Sequence, residues 1–275
     1  MMQPFIVFTD LDGTLLDYSS YSFEPAVPAL TYLKKEQIPL ILVSSKTREE
    51  IVYYQKKLGL TGLPFIVENG SAICSVPGYF RKIHDFKSHD GYSRYILGDT
   101  YNALKSILEK ISLDYNYTIR GFHNATVKEI RERTNLPEPE ILMALNREYS
   151  IPLFFDSKAE AILKNELDKY QLQILYGGRF MHLLSNVDKG KAVKIVIEGY
   201  KDRLRQPDLK SIALGDSLND FAMLSVTDLA ILVKKYDGSY ERSEIIKHVI
   251  YSPGIGPKGW NQSVLKILQD GGKNE

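Results

Sequence analysis

Six short apolar runs punctuate the chain, at residues 4–9 (PFIVFT), 39–44 (PLILVS), 64–69 (PFIVEN), 211–216 (SIALGD), 229–234 (LAILVK) and 248–252 (HVIYS). Continuous apolar runs of this length, with helical patterns between them, are what a parallel sheet covered on both faces produces. Val27, Leu30 and Leu33 carry a helical stripe, with Pro25 and Pro28 near its start. Thr47-Arg48-Glu49-Glu50 forms a capping box, followed by Ile51, Tyr54 and Leu58 on one face and Gly59 as the stop. Ser44, Ser45 and Lys46 therefore fall in a strand-to-helix loop. That is the carboxyl edge of the sheet, where open α/β folds bind ligands.

The pattern changes between about residues 85 and 185. Helices are predicted around 100–112, 138–148 and 158–170, mixed with strands suited to antiparallel pairing. The strongest hairpin signal is LQILY-GG-RFMHLL, where Gly177-Gly178 suits a two-residue turn with positive φ. The fold expected is α/β: a Rossmann-like parallel-sheet core domain, residues 1–84 with 186–275, carrying an inserted α+β cap domain, residues 85–185.

Composition adds limits. Hydrophobic residues at 44% and charged residues at 25% suit a globular chain of one large or two modest domains. A net charge of +1 gives no global field for nucleic acid or a membrane surface, so an anionic ligand needs a local cluster of cations. The single cysteine, Cys74, cannot form an internal disulfide and reads as a core residue. With no signal-like or membrane-spanning run at the N-terminus, a reduced cytoplasm is the expected location.

The chemistry concentrates at two strand ends. Asp10-Leu11-Asp12-Gly13-Thr14 follows the first apolar run, and its two carboxylates point to one side while the chain is extended. Gly215-Asp216-Ser217-Leu218-Asn219-Asp220 follows the fourth. A strand-ending turn explains the first stretch alone, and a helix N-terminus decorated with acids explains part of the second. Neither explains four acids at one sheet edge, a cluster that repels itself unless a hard cation such as Mg²⁺ is held there. Lys189 and Lys191, behind a predicted N-cap at Asp188, oppose the dipole of the helix they begin. They are either solvated lysines or, for Lys189, a bridge to the acids. Ser44 is a turn residue or a donor to a phosphoryl oxygen. Together the four pieces offer a nucleophile, a metal, charge stabilisation and an acid for a leaving oxygen, which is what phosphoryl transfer needs. His84-Asp85 and His89-Asp90 lack further ligands at zinc spacing. No nucleotide P-loop and no nucleophile elbow occur.

These four motifs, in this order and spacing, resemble the haloacid dehalogenase superfamily, with FTDLDGTLLD first, Ser44 ending the second, Lys189 the third and GDSLND the fourth. The resemblance implies Asp10 as nucleophile and Asp12 as general acid/base. It also implies Ser44 and Lys189 in catalytic roles, and Mg²⁺ held by Asp10, the carbonyl of Asp12 and Asp216, with Asp220 in support. The insertion and Glu68-Asn69-Gly70 are similar to the Cof-type branch. Three stretches resemble one group of sugar-phosphate phosphatases within it: Ser44 to Arg48, Gly177 to His182, and Gly256 to Asn261, where Lys258 replaces the usual acid. They imply a small phosphorylated glycoside as substrate, with Ser45, Lys46, Gly177, Gly178, Arg179 and Asn219 as its binding residues. Arg179 is either an anion contact or a solvated hairpin residue. The runner-up reading is another sugar-phosphate phosphatase of the same branch, acting on sucrose phosphate, trehalose phosphate or a broad range. A phosphomutase and a non-catalytic phosphosugar binder compete from other classes, the latter opposed by Asp10 and Asp12 both being intact.

Overall fold

The computed structural model describes residues 4–81, 83, 85–242, 246 and 248–269. Its strands are β1 (Phe5–Thr9), β2 (Leu40–Val43), β3 (Phe65–Val67), β4 (Ala72–Ser75), β5 (Lys87–His89) and β6 (Tyr92–Ile96), then β7 (Ile151–Leu153), β8 (Leu172–Tyr176), β9 (Met181–Ser185), β10 (Lys210–Gly215), β11 (Leu229–Lys234) and β12 (Val249–Ile255). The helices are α1 (Val27–Lys35), α2 (Arg48–Leu58), α3 (Tyr101–Asp114), α4 (Val127–Thr134), α5 (Glu138–Leu145), α6 (Ser157–Glu166), α7 (Lys189–Leu204), α8 (Phe221–Leu224) and α9 (Gly256–Gln269).

The six apolar runs become six parallel neighbours, in the order β12-β11-β10-β1-β2-β3. Alternate residues of each strand feed opposite cores. Val7, Leu40, Leu42 and Ile212 pack with α1, α2 and α9 on one face. Ile6, Phe8, Ile41 and Val43 pack with Val193, Val196 and Tyr200 of α7 on the other. Both faces being buried is why β1, β2, β3, β10 and β11 read as unbroken apolar runs, whereas β12, at the sheet edge, is largely exposed and not the buried strand its residues suggested. Thr47 caps α2 with both capping-box bonds in place, and Gly59 ends it in the left-handed conformation. Asp188 caps α7 through Lys191 N.

Two expectations need correction. The division expected at 84/85 does not coincide with a change of sheet: β5 and β6 pair antiparallel beyond β4 and lengthen the core sheet to nine strands. These strands are short and flanked by polar residues, so they carry no apolar run to announce the core. The separate three-stranded sheet, β7-β9-β8, lies wholly in the insertion, with its own apolar cluster from α3 and α6. The β8–β9 hairpin forms, but its turn is not the one expected. Tyr176 pairs with Met181, leaving residues 177–180 as a four-residue loop closed by Gly177 N donating to Phe180 O at 3.0 Å. Neither Gly177 nor Gly178 takes a positive φ.

Candidate active site

The floor of the site is made where β1 and β10 end side by side. Asp10 N still donates to Leu214 O at 3.0 Å, so the Asp10 side chain leaves the sheet at a fixed point on its carboxyl edge. Behind it, Trp260 Nε1 donates to Thr9 Oγ1 at 2.9 Å, and Thr9 Oγ1 donates to Asp10 O at 2.7 Å. The Gly256–Asn261 stretch thus supports the Asp10 backbone from beneath, with Trp260 fully buried, while Lys258 points to solvent. Gly13 turns the chain at φ +80°, and a Cβ there would lie 2.7 Å from Asp216 Oδ2. Only glycine lets the first acidic loop approach the second so closely. Thr14 Oγ1 donates to Asp216 Oδ1 at 2.9 Å and joins the two loops directly.

Lys189 resolves the choice left open for it. Its Nζ is fully buried, 2.6 Å from Asp10 Oδ1 and 2.6 Å from Asp220 Oδ1. Asp220 Oδ2 accepts from the amides of Asp216 and Ser217 at 3.0 and 3.1 Å, so Asp220 is spent on holding the loop and the lysine. Lys191, by contrast, is exposed. Burial pushes the Asp10 carboxyl up to about 7, with Lys189 opposing the shift and Asp220 and Asp12 adding to it. Burial likewise holds Asp216 well above the usual carboxylate range, reinforced by Asp220 and Asp10. Burial works against the Lys189 charge, but its two carboxylate partners outweigh it and keep the ammonium above its usual range.

One lysine does not neutralise this cluster. Asp10, Asp216 and Asp220 each offer an oxygen, all within 4.8 Å of one another. Among the described residues, Asp10 Oδ2 and Asp216 Oδ2 accept no hydrogen bond, and Asp12 Oδ1 is buried without a partner. An all-oxygen set with unsatisfied carboxylates fits a hard divalent cation. His84 lies outside the described residues, as does the His89 side chain.

The second wall is the loop after β2. Ser44 is buried, its Oγ accepting from Lys46 N at 3.3 Å. Lys46 Nζ lies 2.9 Å from Asp12 Oδ2 and 3.4 Å from Glu50 Oε1, between the rings of Tyr21 and Tyr54. Arg48 turns away to pair with Glu148 at 3.1 Å. Asn219 Nδ2 donates to Asn69 Oδ1 at 2.9 Å, tying the fourth motif to Glu68-Asn69-Gly70.

The insertion closes the site from above. A cleft partly open to solvent lies between the insertion and the core, its space amounting to about 770 Å³ with the open solvent in its mouth included. All six residues expected to bind substrate line it, as do Asp10, Asp12 and Asp216. Ser44, Lys189 and Asp220 are buried under its floor. The sequence reading missed Tyr18 and Tyr21, in the loop after the first motif, and Arg147 and His182 from the insertion. His182 lay within a stretch that had been singled out, whereas Arg147, in a short link between α5 and β7, has no local signal. Arg179 sits at the rim. Its Nη1 donates to Thr134 O at 3.3 Å and Arg133 O at 3.5 Å, its Nη2 donates to Tyr18 O, and its guanidinium stacks over the Tyr18 ring at 4.3 Å.

A sequence model of the haloacid dehalogenase-like hydrolases matches residues 7–253. The chain belongs to that family. It is 37% identical over 272 residues to the glucosyl-3-phosphoglycerate/mannosyl-3-phosphoglycerate phosphatase of Methanococcoides burtonii, covering 98% of each chain. The enzyme of the same name from Persephonella marina is 38% identical over 267 residues, covering 96% of this chain and 97% of its own. The solved haloacid dehalogenase-like hydrolase from Bacteroides thetaiotaomicron shares the fold at a TM-score of 0.66 and 13% identity, over 98% of this chain and all (100%) of that one. The counterpart from B. subtilis gives 0.61 at 17% identity, over 95% and 98%. This haloacid dehalogenase-like chain is therefore an enzyme of the hydrolase class, and both curated relatives are phosphatases. No helix among the described residues is long and apolar enough to cross a membrane.

Proposed function

We propose that this hydrolase is a magnesium-dependent phosphatase that works through an aspartyl-phosphate on Asp10, with a glycosyl-3-phosphoglycerate as substrate. The observation that carries the reading is the Asp10 carboxylate. One oxygen is held by Lys189 at 2.6 Å, the other accepts no hydrogen bond among the described residues, and Asp12 stands two residues on beside the same cavity. Asp10 attacks phosphorus, and the bond to the substrate alcohol oxygen breaks as Asp12 gives that oxygen a proton. Asp12 then takes a proton from water as the water oxygen attacks phosphorus, releasing inorganic phosphate and restoring Asp10. Lys189 offsets the charge that gathers on Asp10 and the phosphoryl group, and the Ser44 hydroxyl donates to a phosphoryl oxygen.

Mg²⁺ would be held by Asp10, the carbonyl of Asp12 and Asp216, with Asp220 orienting the loop. Bound there, it supplies neutralising charge for the phosphoryl oxygens. The two near-full-length relatives, named for glucosyl- and mannosyl-3-phosphoglycerate, support the choice of substrate. The mannosyl-3-phosphoglycerate phosphatases are also the group that the Ser44–Arg48, Gly177–His182 and Gly256–Asn261 stretches resemble. Steady-state phosphate release from mannosyl- and glucosyl-3-phosphoglycerate, beside hexose phosphates, tests it. Preference for a glycosyl-3-phosphoglycerate is expected; preference for a plain hexose phosphate would transfer the protein to another sugar-phosphate specificity.

A further inference from the structure

The proposed substrate carries a carboxylate as well as a phosphate, and two buried cations that the phosphoryl chemistry does not use line the cavity: Lys46, already paired with Asp12 and Glu50, and Arg147. Arg147 is only 9% exposed, yet it lines the cavity. Its guanidinium is fixed from behind: Nε donates to Glu68 Oε2 at 3.3 Å, and Nη2 donates to Ser45 O at 2.6 Å and Ser150 Oγ at 2.8 Å. Glu68 is itself fully buried, and it accepts further bonds from Glu148 N, Tyr149 N and Ser150 Oγ at 2.8, 3.1 and 2.7 Å. A buried carboxylate needs such a set of donors, and here it anchors the arginine as well as the link into the insertion. Nη1 is left over. It has no hydrogen bond among the described residues and is not a fully buried atom, and Arg147 is one of the residues lining the cavity.

His182 stands in the same wall. It is 5% exposed, and its Nδ1 is buried with no partner. An orphaned N–H costs more than an orphaned lone pair, so the proton belongs on Nε2. Nε2 is not a fully buried atom and has no hydrogen bond among the described residues, so its hydrogen is the donor that His182, a lining residue, has left to offer. Burial, then the Arg147 and Lys189 charges, push the imidazole down to about 3, so it stays neutral with Nδ1 unprotonated. A Cβ on Gly177 would lie 3.1 Å from Nε2. The first glycine of the β8–β9 loop therefore keeps that nitrogen accessible.

The geometry points to Arg147 Nη1 and His182 Nε2 as a carboxylate subsite that reads the glycerate end of the substrate. The inference rests on the proposed function for the identity of that substrate. The chemistry itself, a second anion held by a fixed guanidinium and a neutral imidazole N–H, is independent of the sugar.

The test compares D-3-phosphoglycerate with glycerol 3-phosphate, which lacks the carboxylate, as competitive inhibitors of p-nitrophenyl phosphate hydrolysis. Taking the ratio of the two inhibition constants within each protein cancels any general change in phosphate binding. Wild type should favour 3-phosphoglycerate by about tenfold or more, the worth of one charge-assisted bond. Arg147→Met should bring the ratio near one. Because Arg147→Met leaves Glu68 without its cation and can fail to fold, Gly177→Ala provides a second arm. Its added methyl crowds His182 Nε2 at a backbone φ that alanine tolerates, and it should reduce the ratio several-fold. A wild-type ratio near one, or an undiminished ratio in both folded variants, overturns the subsite. Equal weakening of both inhibitors by Arg147→Met, with the ratio kept, would assign Arg147 to the phosphate instead. If wild type prefers hexose phosphates yet still ranks 3-phosphoglycerate first, the proposed substrate falls and the subsite stands.

Discussion

Lys189 Nζ lies 2.6 Å from Asp10 Oδ1, across 179 positions of sequence. The contact joins the start of α7 to the end of β1 and puts a fixed positive charge against a carboxylate that both ends a central strand and lines the cavity. Asp10→Asn keeps the size of the side chain and the Lys189 hydrogen bond but removes the charge that attacks phosphorus. Phosphate release should fall by several powers of ten with the circular dichroism spectrum unchanged. Substantial turnover in that variant would remove Asp10 as the nucleophile.

The raised carboxyls couple metal binding to protons. The Asp10 carboxyl ordinarily titrates at 3.8 and here at about 7. Across that window the folded, metal-free protein keeps a proton that the unfolded chain has released. Its stabilising effect is complete below the lower value and is lost as pH rises through the upper one, by about 1.4 kcal/mol per pH unit for each such site. Mg²⁺ must displace that proton, so the increase in Tm that Mg²⁺ gives over excess chelator should grow from pH 5.5 to 7.5 and then level off. Other groups cancel because both measurements share them. An increment that shrinks with rising pH would show that these carboxyls are not the metal's ligands.

How much of this was legible beforehand differs by element. Five of the parallel strands, β1, β2, β3, β10 and β11, were readable because they are buried on both faces and therefore apolar, whereas β12 lies at the sheet edge and is largely exposed despite its apolar residues. The acids were readable because strand ends at one sheet edge meet in space whatever the sequence distance. β5 and β6 escaped because edge strands with polar flanks have no apolar signature. Arg147 escaped for another reason. Its importance comes from Glu68, 79 residues away, and nothing local distinguishes it from a solvated arginine.

Gly13→Ala tests the closeness of the two acidic loops. The new methyl would sit 2.7 Å from Asp216 Oδ2 at a φ of +80°, so either the loop or the carboxylate must move. The backbone strain costs about 1 kcal/mol, a small change in Tm. Displacement of Asp216 should raise the Mg²⁺ concentration needed for half-maximal activity by tenfold or more. An unchanged Mg²⁺ requirement would show that Asp216 need not sit against Gly13 for the metal to bind.

Arg179 has a role that its surroundings narrow. The sequence offered it as an anion contact or a solvated residue. In the structure its two Nη groups donate to carbonyls of Tyr18, Arg133 and Thr134, and its guanidinium covers the Tyr18 ring, whose other neighbour is Tyr236 at 4.4 Å. Tyr21 OH donates to Thr134 O at 3.1 Å, a second tie between the loop after the first motif and the end of α4. These contacts make Arg179 a bridge that holds the insertion over the floor of the site. A bridge acts through Tyr18, whereas a direct substrate contact does not. Arg179→Ala and Tyr18→Ala should each lower kcat/KM for the glycosyl-3-phosphoglycerate more than for p-nitrophenyl phosphate, because the larger substrate depends more on closure. In the double variant the losses should fall short of the sum of the logarithms, with an interaction energy of about 0.5–1 kcal/mol, as for a cation over an aromatic face. Strictly additive losses would return Arg179 to the anion contact that the sequence suggested.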